Sequence, residues 1–223
     1  MNEKFNSFHP LKAALPKGLL GAIFDCDGVL LNSWRSNVMF YNLILAYFGL
    51  PEMNEAQEDY VHMHTSHQSI LHILPAPFLP RLREAMSGID YMRDLAPHIQ
   101  PEPGIFKLLQ ALQNAEIKLA VNTNRTTLAE TVLDYFELSA YFSPLVTAAT
   151  HPPKPDPAGI FFILDSWKAD SSQVFFVGDS ALDEQAAHAA GVPLVAYRNP
   201  ELSAVVHVDD YVSFSDYMQC FLL

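Results

Sequence analysis

Hydrophobic positions follow two different grammars along this chain. Leu19–Phe24 is a short apolar run, the pattern of a strand buried on both faces. Between Leu31 and Ile99 no strand-like run occurs, and helical patterns take over. There Ser33–Gly49 predicts a helix closed by Gly49-Leu50-Pro51, and Glu55–Leu74 a second. Arg81–Leu95 predicts a third, beyond breaks at Pro75, Pro77 and Pro80. From Pro101 the two patterns alternate. A helix from Pro103-Gly104 to Asn114 leads to a strand at Ile117–Val121, a helix at Thr126–Phe136 and a short strand at Leu145–Thr147. Then come a helix at Asp156–Ser166, a strand at Val174–Val177, a helix at Ala181–Ala190 and a strand at Pro193–Tyr197. Alternation of this kind predicts an α/β fold, a parallel sheet with helices on both faces. Residues 1–32 and 99–223 are expected to form that core, and 33–98 an all-helical insertion after the first strand.

Ligands of such sheets lie outside the carboxyl ends of the strands, so the residues just beyond each strand are the candidates. Asp25 and Asp27 come after the first. In extended geometry they share a face and repel each other unless a cation binds, and Gly28 lets the chain turn sharply beyond them. Thr123 and Asn124 come after Ile117–Val121, and Lys154 lies beyond Leu145–Thr147. Gly178-Asp179 ends Val174–Val177, with Asp183 one helical turn further on. Taken singly, Thr123 reads as a helix cap, Lys154 as a solvated lysine and Asp179 as a cap. Four strand ends that deliver carboxylates, a hydroxyl and a lysine to one edge read as a site.

Composition limits what the site serves. The chain has 223 residues, is 50% hydrophobic and carries a formal net charge of −12. That suits one or two compact domains and argues against nucleic acid or an anionic membrane as a partner. An anionic substrate would therefore need local positive charge from a few residues and a metal. The two cysteines, Cys26 and Cys220, are far apart and suggest no disulfide framework. Met1–Lys17 has no apolar core of the kind a signal peptide needs, and Val38–Leu50 is too short to span a bilayer, so a soluble cytoplasmic protein is expected. No internal repeat stands out, and no self-complementary patch identifies an oligomeric state.

The residue types suggest a chemistry. Asp25 can be ligand and nucleophile at once, since aspartate is a covalent carrier of phosphoryl groups. Asp27 can give a proton to a leaving oxygen and later take one from water. Asp179 adds an oxygen donor of the kind Mg²⁺ prefers, and Asp183 would orient that shell. Lys154 offsets repulsion between Asp25 and an incoming phosphate, while Thr123 Oγ and the N–H groups around Asn124 can hold its oxygens.

Phe24-Asp25-Cys26-Asp27-Gly28-Val29-Leu30 resembles the first motif of the haloacid dehalogenase-like phosphatase superfamily. Val121-Asn122-Thr123-Asn124 resembles the second, Lys154-Pro155-Asp156-Pro157 the third, and Val177-Gly178-Asp179-Ser180-Ala181-Leu182-Asp183 the fourth. The resemblance implies a Rossmann-like core, an aspartyl-phosphate intermediate and Mg²⁺. It makes Asp25 the nucleophile and Asp27 the acid/base, whose backbone carbonyl also meets the metal. Thr123 and Lys154 become phosphate-binding residues and Asp179 a metal ligand, with Asp183 beside it. A helical insertion after the first motif is similar to the cap of phosphoglycolate phosphatase and β-phosphoglucomutase relatives. Dehalogenases and phosphonatases of the superfamily lack a carboxylate at the position of Asp27, so its presence implies phosphate-ester chemistry. Asn32 stands where many relatives carry aspartate, and Cys26 replaces a common leucine or methionine as a small core residue.

Substrate identity is expected to lie in the insertion. His64, Thr65 or His67 could contact the non-phosphate part of a substrate, or could sit on the surface at a helix junction. Arg125 could reach a substrate oxygen or pair with acidic groups, and Ser33 and Trp34 could line the cavity. The expected activity is Mg²⁺-dependent hydrolysis of a small phosphate ester. A phosphomutase would keep the same core, but the stretch from Pro51 to Pro80 has no Arg or Lys to hold a reacting sugar. A non-catalytic binding protein on the same scaffold is the remaining alternative, against which stands the retention of every catalytic position.

Overall fold

The computed structural model describes residues 9–14, 18–64, 66–126 and 128–222. They divide into two compact units, one running up to Leu31 and resuming at Pro101, the other Asn32–Gln100. In chain order the elements are α1 (His9–Ala14), β1 (Gly21–Phe24), β2 (Leu31–Asn32), α2 (Trp34–Tyr47), α3 (Glu55–Met63), α4 (Ser66–Ile73) and α5 (Leu82–Ser87). Next are β3 (Gln100–Pro101), α6 (Ile105–Asn114), β4 (Lys118–Thr123), α7 (Ala129–Tyr135), β5 (Leu145–Thr147) and α8 (Ala158–Trp167). The chain closes with β6 (Val174–Gly178), α9 (Ala181–Ala189), β7 (Leu194–Tyr197), β8 (Val206–Val208) and α10 (Tyr211–Phe221).

The first unit is built on a six-stranded sheet in the order β5-β4-β1-β6-β7-β8, parallel throughout. This is the expected α/β architecture. β1 is central, and all four of its residues are buried, which is why it reads as an unbroken apolar run. On one face Ile23, Ala120 and Phe176 pack with Ile160, Ile163 and Trp167 of α8 and with Ala186 and Ala187 of α9. Phe175 points the opposite way and meets Phe214 of α10 at 6.2 Å between ring centroids. Burying side chains such as Ile23 and Phe24 stabilises the fold by about 1.5–3 kcal/mol each. Register matters most for function: Phe24 lies opposite both Val121 and Val177, so the three central strands end at one level.

The second unit is helical, with α2 to α5 and a core of Tyr41, Ile44, Leu45, Met53, Val61, Ile70, Ile73, Leu74 and Ala85. β2 and β3 pair with each other where the chain leaves one unit for the other and returns. Among the described residues no helix is long and apolar enough to cross a membrane.

Several predicted boundaries move, each for a local reason. The helix expected over Glu55–Leu74 is two, because His64 is extended (φ −121°, ψ 163°) and its ring Nδ1 donates to Tyr60 O at 2.8 Å. That carbonyl is the one a continuing helix would offer to the His64 amide. The helix expected over Arg81–Leu95 stops at Ser87, with Gly88 as its cap. A separate π turn at Tyr91–Leu95 starts where Asp90 accepts from Arg93 N at 2.8 Å. α7 begins at Ala129 and not Thr126, since Leu128 holds a left-handed φ of 60°. β8 and α10 are additions to the predicted elements: β8 has only three residues, but α10 carries apolar positions at helical spacing and an Asp210 cap that accepts from Ser213 N at 2.7 Å.

Candidate active site

The Asp25 amide still donates to Val177 O at 3.0 Å, so its backbone belongs to the sheet while its carboxylate stands at the carboxyl edge. The chain then folds back tightly. Leu30 N and Leu31 N both donate to Cys26 O, at 2.9 and 3.0 Å, and Gly28 N donates to Leu31 O at 2.8 Å. Gly28 has φ +77°, and a Cβ there would overlap the Asp179 carboxylate, so both conformation and space require glycine.

Lys154 joins three strand ends. Its buried Nζ lies 2.6 Å from Asp25 Oδ1 and 2.5 Å from Asp183 Oδ1, over the Phe176 ring. Its backbone is clasped from both sides by one amide: Lys154 N donates to Asn124 Oδ1 at 2.7 Å, and Asn124 Nδ2 donates to Lys154 O at 2.9 Å. The Asn124 side chain is thus engaged with the chain that carries the lysine. Asp183 is fully buried, and its second oxygen accepts from Asp179 N, Ser180 N and Ser180 Oγ at 3.2, 3.0 and 2.6 Å. Thr123, the last residue of β4, is buried, and its Oγ1 accepts from Arg125 N at 3.2 Å. Arg125 reaches Asp27 with both arms of its guanidinium, Nε to Oδ2 at 2.7 Å and Nη2 to Oδ1 at 2.5 Å.

The first unit therefore gathers Asp25, Asp27, Thr123, Asn124, Arg125, Lys154, Asp179 and Asp183 at one end of its sheet. Ser33, His64 and His67 belong to the second unit. Ser33 is half-buried ahead of α2, His64 stacks on Tyr60 at 3.8 Å, and His67 is exposed in α4. Thr65 lies outside the described residues. Two supports come to light only in the structure. Ser180 caps α9 in a reciprocal box with Asp183, for which Ser-x-x-Asp is a readable signal. Asn199 donates to Asp179 O at 2.8 Å, with no local signal to reveal it.

Electrostatics distinguish the acids. Burial, reinforced by Asp183 and Asp27, pushes Asp25 up to about 7 although Lys154 opposes it. Burial, then Asp25 and Asp183, pushes Asp179 up to about 8. For Lys154, burial works against the charged form, but Asp25 and Asp183 overcome it and hold the ammonium. Burial drives the Cys26 thiol well above its ordinary value, which makes it an inert core group.

Asp25, Asp179 and Asp183 each offer an oxygen within 4.8 Å of the others. Three carboxylates around one ammonium are short of positive charge, and the raised values of Asp25 and Asp179 express that shortage. An oxygen-seeking divalent cation fits this donor set. Both oxygens of Asp183 already accept hydrogen bonds, so Asp25 and Asp179 are the better direct ligands. The direction of the shifts supplies a stability test. Both acids bind protons more tightly folded than unfolded, so without a cation their contribution is full in acid and lost as pH rises through about 7 to 8. Mg²⁺ bound by these acids would compete with those protons, so the rise in Tm on adding it is expected to be larger near about pH 8 than near about pH 6. Asp179→Asn should abolish most of that rise, and an equal response at both pH values would contradict the assignment.

A parallel sheet with carboxylates and a lysine converging on its carboxyl edge defines a Rossmann-like α/β protein with a polar site at its strand ends. More specifically, the chain belongs to the haloacid dehalogenase-like hydrolase family, whose profile matches residues 22–197. A solved hydrolase of the same superfamily from Geobacter sulfurreducens is 34% identical, with a TM-score of 0.82 over 90% of this chain and 96% of its own. The phosphoglycolate phosphatase of Agrobacterium fabrum is 30% identical over 212 residues, 87% of this chain and 90% of its own. That of Pseudomonas syringae is 42% identical over 96 residues, which span 42% of this chain but only 35% of the relative. All four motifs lie within residues 22–197, the span of the family match.

Proposed function

We propose that this protein is a Mg²⁺-dependent phosphatase of small phosphate monoesters that works through a phosphoryl group carried on Asp25. The observation that supports it most is Lys154 Nζ held between Asp25 and Asp183 in a buried site, with Asp27 two residues on from the nucleophile. An Asp25 oxygen attacks phosphorus, the bond from phosphorus to the ester oxygen breaks, and Asp27 gives that oxygen a proton. Water then attacks phosphorus, Asp27 takes its proton, the bond to Asp25 breaks, and inorganic phosphate leaves. Lys154 offsets the charge of the approaching phosphoryl group, and Thr123 Oγ, an acceptor towards Arg125 N, keeps its own proton to donate to a phosphoryl oxygen. Mg²⁺, held by Asp25, Asp179 and the Asp27 carbonyl, would supply positive charge to the phosphoryl oxygens. Asp183 fixes Lys154 and the turn that carries Asp179.

The helical unit Asn32–Gln100 is the proposed bearer of specificity, with Ser33, His64 and His67 as contacts to the alcohol portion. Relatives named phosphoglycolate phosphatase make 2-phosphoglycolate the first ester to try. The test is a phosphate-release screen over small monoesters with and without Mg²⁺. Turnover of at least one ester that requires Mg²⁺ is expected, and turnover of none would overturn the reading.

A further inference from the structure

Asp27 has to aim a proton at one oxygen of the substrate, yet its side chain is 39% exposed. A carboxylate that open samples several rotamers unless something holds it. Among the described residues its hydrogen-bond partner is Arg125, which grips both oxygens in a fork. Arg125 is itself well placed to hold. Its side chain is 13% exposed, its amide donates to Thr123 Oγ1 at 3.2 Å, and its carbonyl accepts from Ala148 N at 3.0 Å. The guanidinium therefore springs from backbone pinned to the end of β4 and to the segment after β5. One residue links the hydroxyl proposed to hold phosphate to the carboxylate proposed to move the proton.

We propose that Arg125 is a positioning residue for Asp27, fixing the direction of its carboxylate rather than binding substrate. This rests on Asp27 being the acid/base of the proposed reaction. Arg125→Ala is expected to lower kcat by about 10²-fold, the scale on which a small misplacement of a reacting group acts. KM should move by less than about threefold, because no substrate contact is lost. Guanidinium chloride at millimolar, non-denaturing concentration should restore part of kcat in Arg125→Ala, which a structural defect elsewhere would not allow. Arg125→Lys keeps the charge but loses the fork, and is expected to stay closer to Arg125→Ala than to wild type. Arg125→Ala in an Asp27→Asn background should cost little more, since the group it positions is already gone. Three results would overturn the proposal: a raised KM at unchanged kcat, which marks a substrate ligand; wild-type kcat in Arg125→Ala; or no response to guanidinium in a folded variant. Full activity of Asp27→Asn would instead remove the acid/base assignment, and the positioning role with it.

Discussion

Asp25→Asn is expected to release phosphate at least about 10⁴-fold more slowly than wild type, since residues that act as one catalytic unit lose most of the rate when the nucleophile goes. The amide keeps the size of the carboxylate but cannot accept a phosphoryl group. Folding should survive. Burial, the largest influence on Asp25, disfavours its charged form, and Lys154 keeps Asp183 as a partner at 2.5 Å. The cation-free variant should therefore melt no lower than wild type near about pH 8, where wild-type Asp25 has lost its proton. Phosphate release by Asp25→Asn at a rate near wild type, in protein confirmed folded by circular dichroism, would contradict the assignment.

Lys154→Met should harm both stability and rate. The ammonium is the shared partner of two buried carboxylates, and breaking a buried pair by removing one side costs about 3–5 kcal/mol because a charge is left uncompensated. Urea unfolding near about pH 9 is expected to show a loss of that size. The loss should shrink in acid. Without Lys154 to lower it, Asp25 holds its proton to higher pH still, and a protonated Asp25 no longer needs the missing cation. Turnover should fall by about 10²–10³-fold, the usual effect of removing one preorganised group that stabilises transition-state charge. A variant as stable as wild type near about pH 9 would mean that the two carboxylates do not depend on this lysine.

The strand-end residues are legible in the sequence because a parallel sheet brings the carboxyl ends of all its strands to one edge. Asp25, Thr123 and Asp179 need only the strand pattern and the direction of the chain. Lys154 lies seven residues beyond β5, and its company with Pro155, Asp156 and Pro157 carries the motif rather than any periodicity. Its bridge to Asp25 and Asp183 and the amide clasp from Asn124 are not legible, because each joins residues far apart in sequence. Arg125 shows the same limit: its charge is visible, but its partner Asp27 stands 98 positions away. Helix ends fail differently. Nothing in the spacing of Glu55–Leu74 announces that the His64 ring takes the Tyr60 carbonyl, whereas the Asp210 cap and the apolar spacing of α10 are readable signals.

Chemical trapping of the loaded nucleophile tests directly whether Asp25 carries the phosphoryl group. Enzyme turning over its best ester with Mg²⁺ is quenched in acid and reduced with borohydride, which converts a phosphorylated aspartate to homoserine, and peptides are read by mass spectrometry. Homoserine is expected at position 25, dependent on substrate, with aspartate unchanged at 27, 179 and 183. Homoserine at another of these positions, or none at 25 under conditions that trap a control aspartyl phosphate while phosphate release proceeds at full rate, would contradict it.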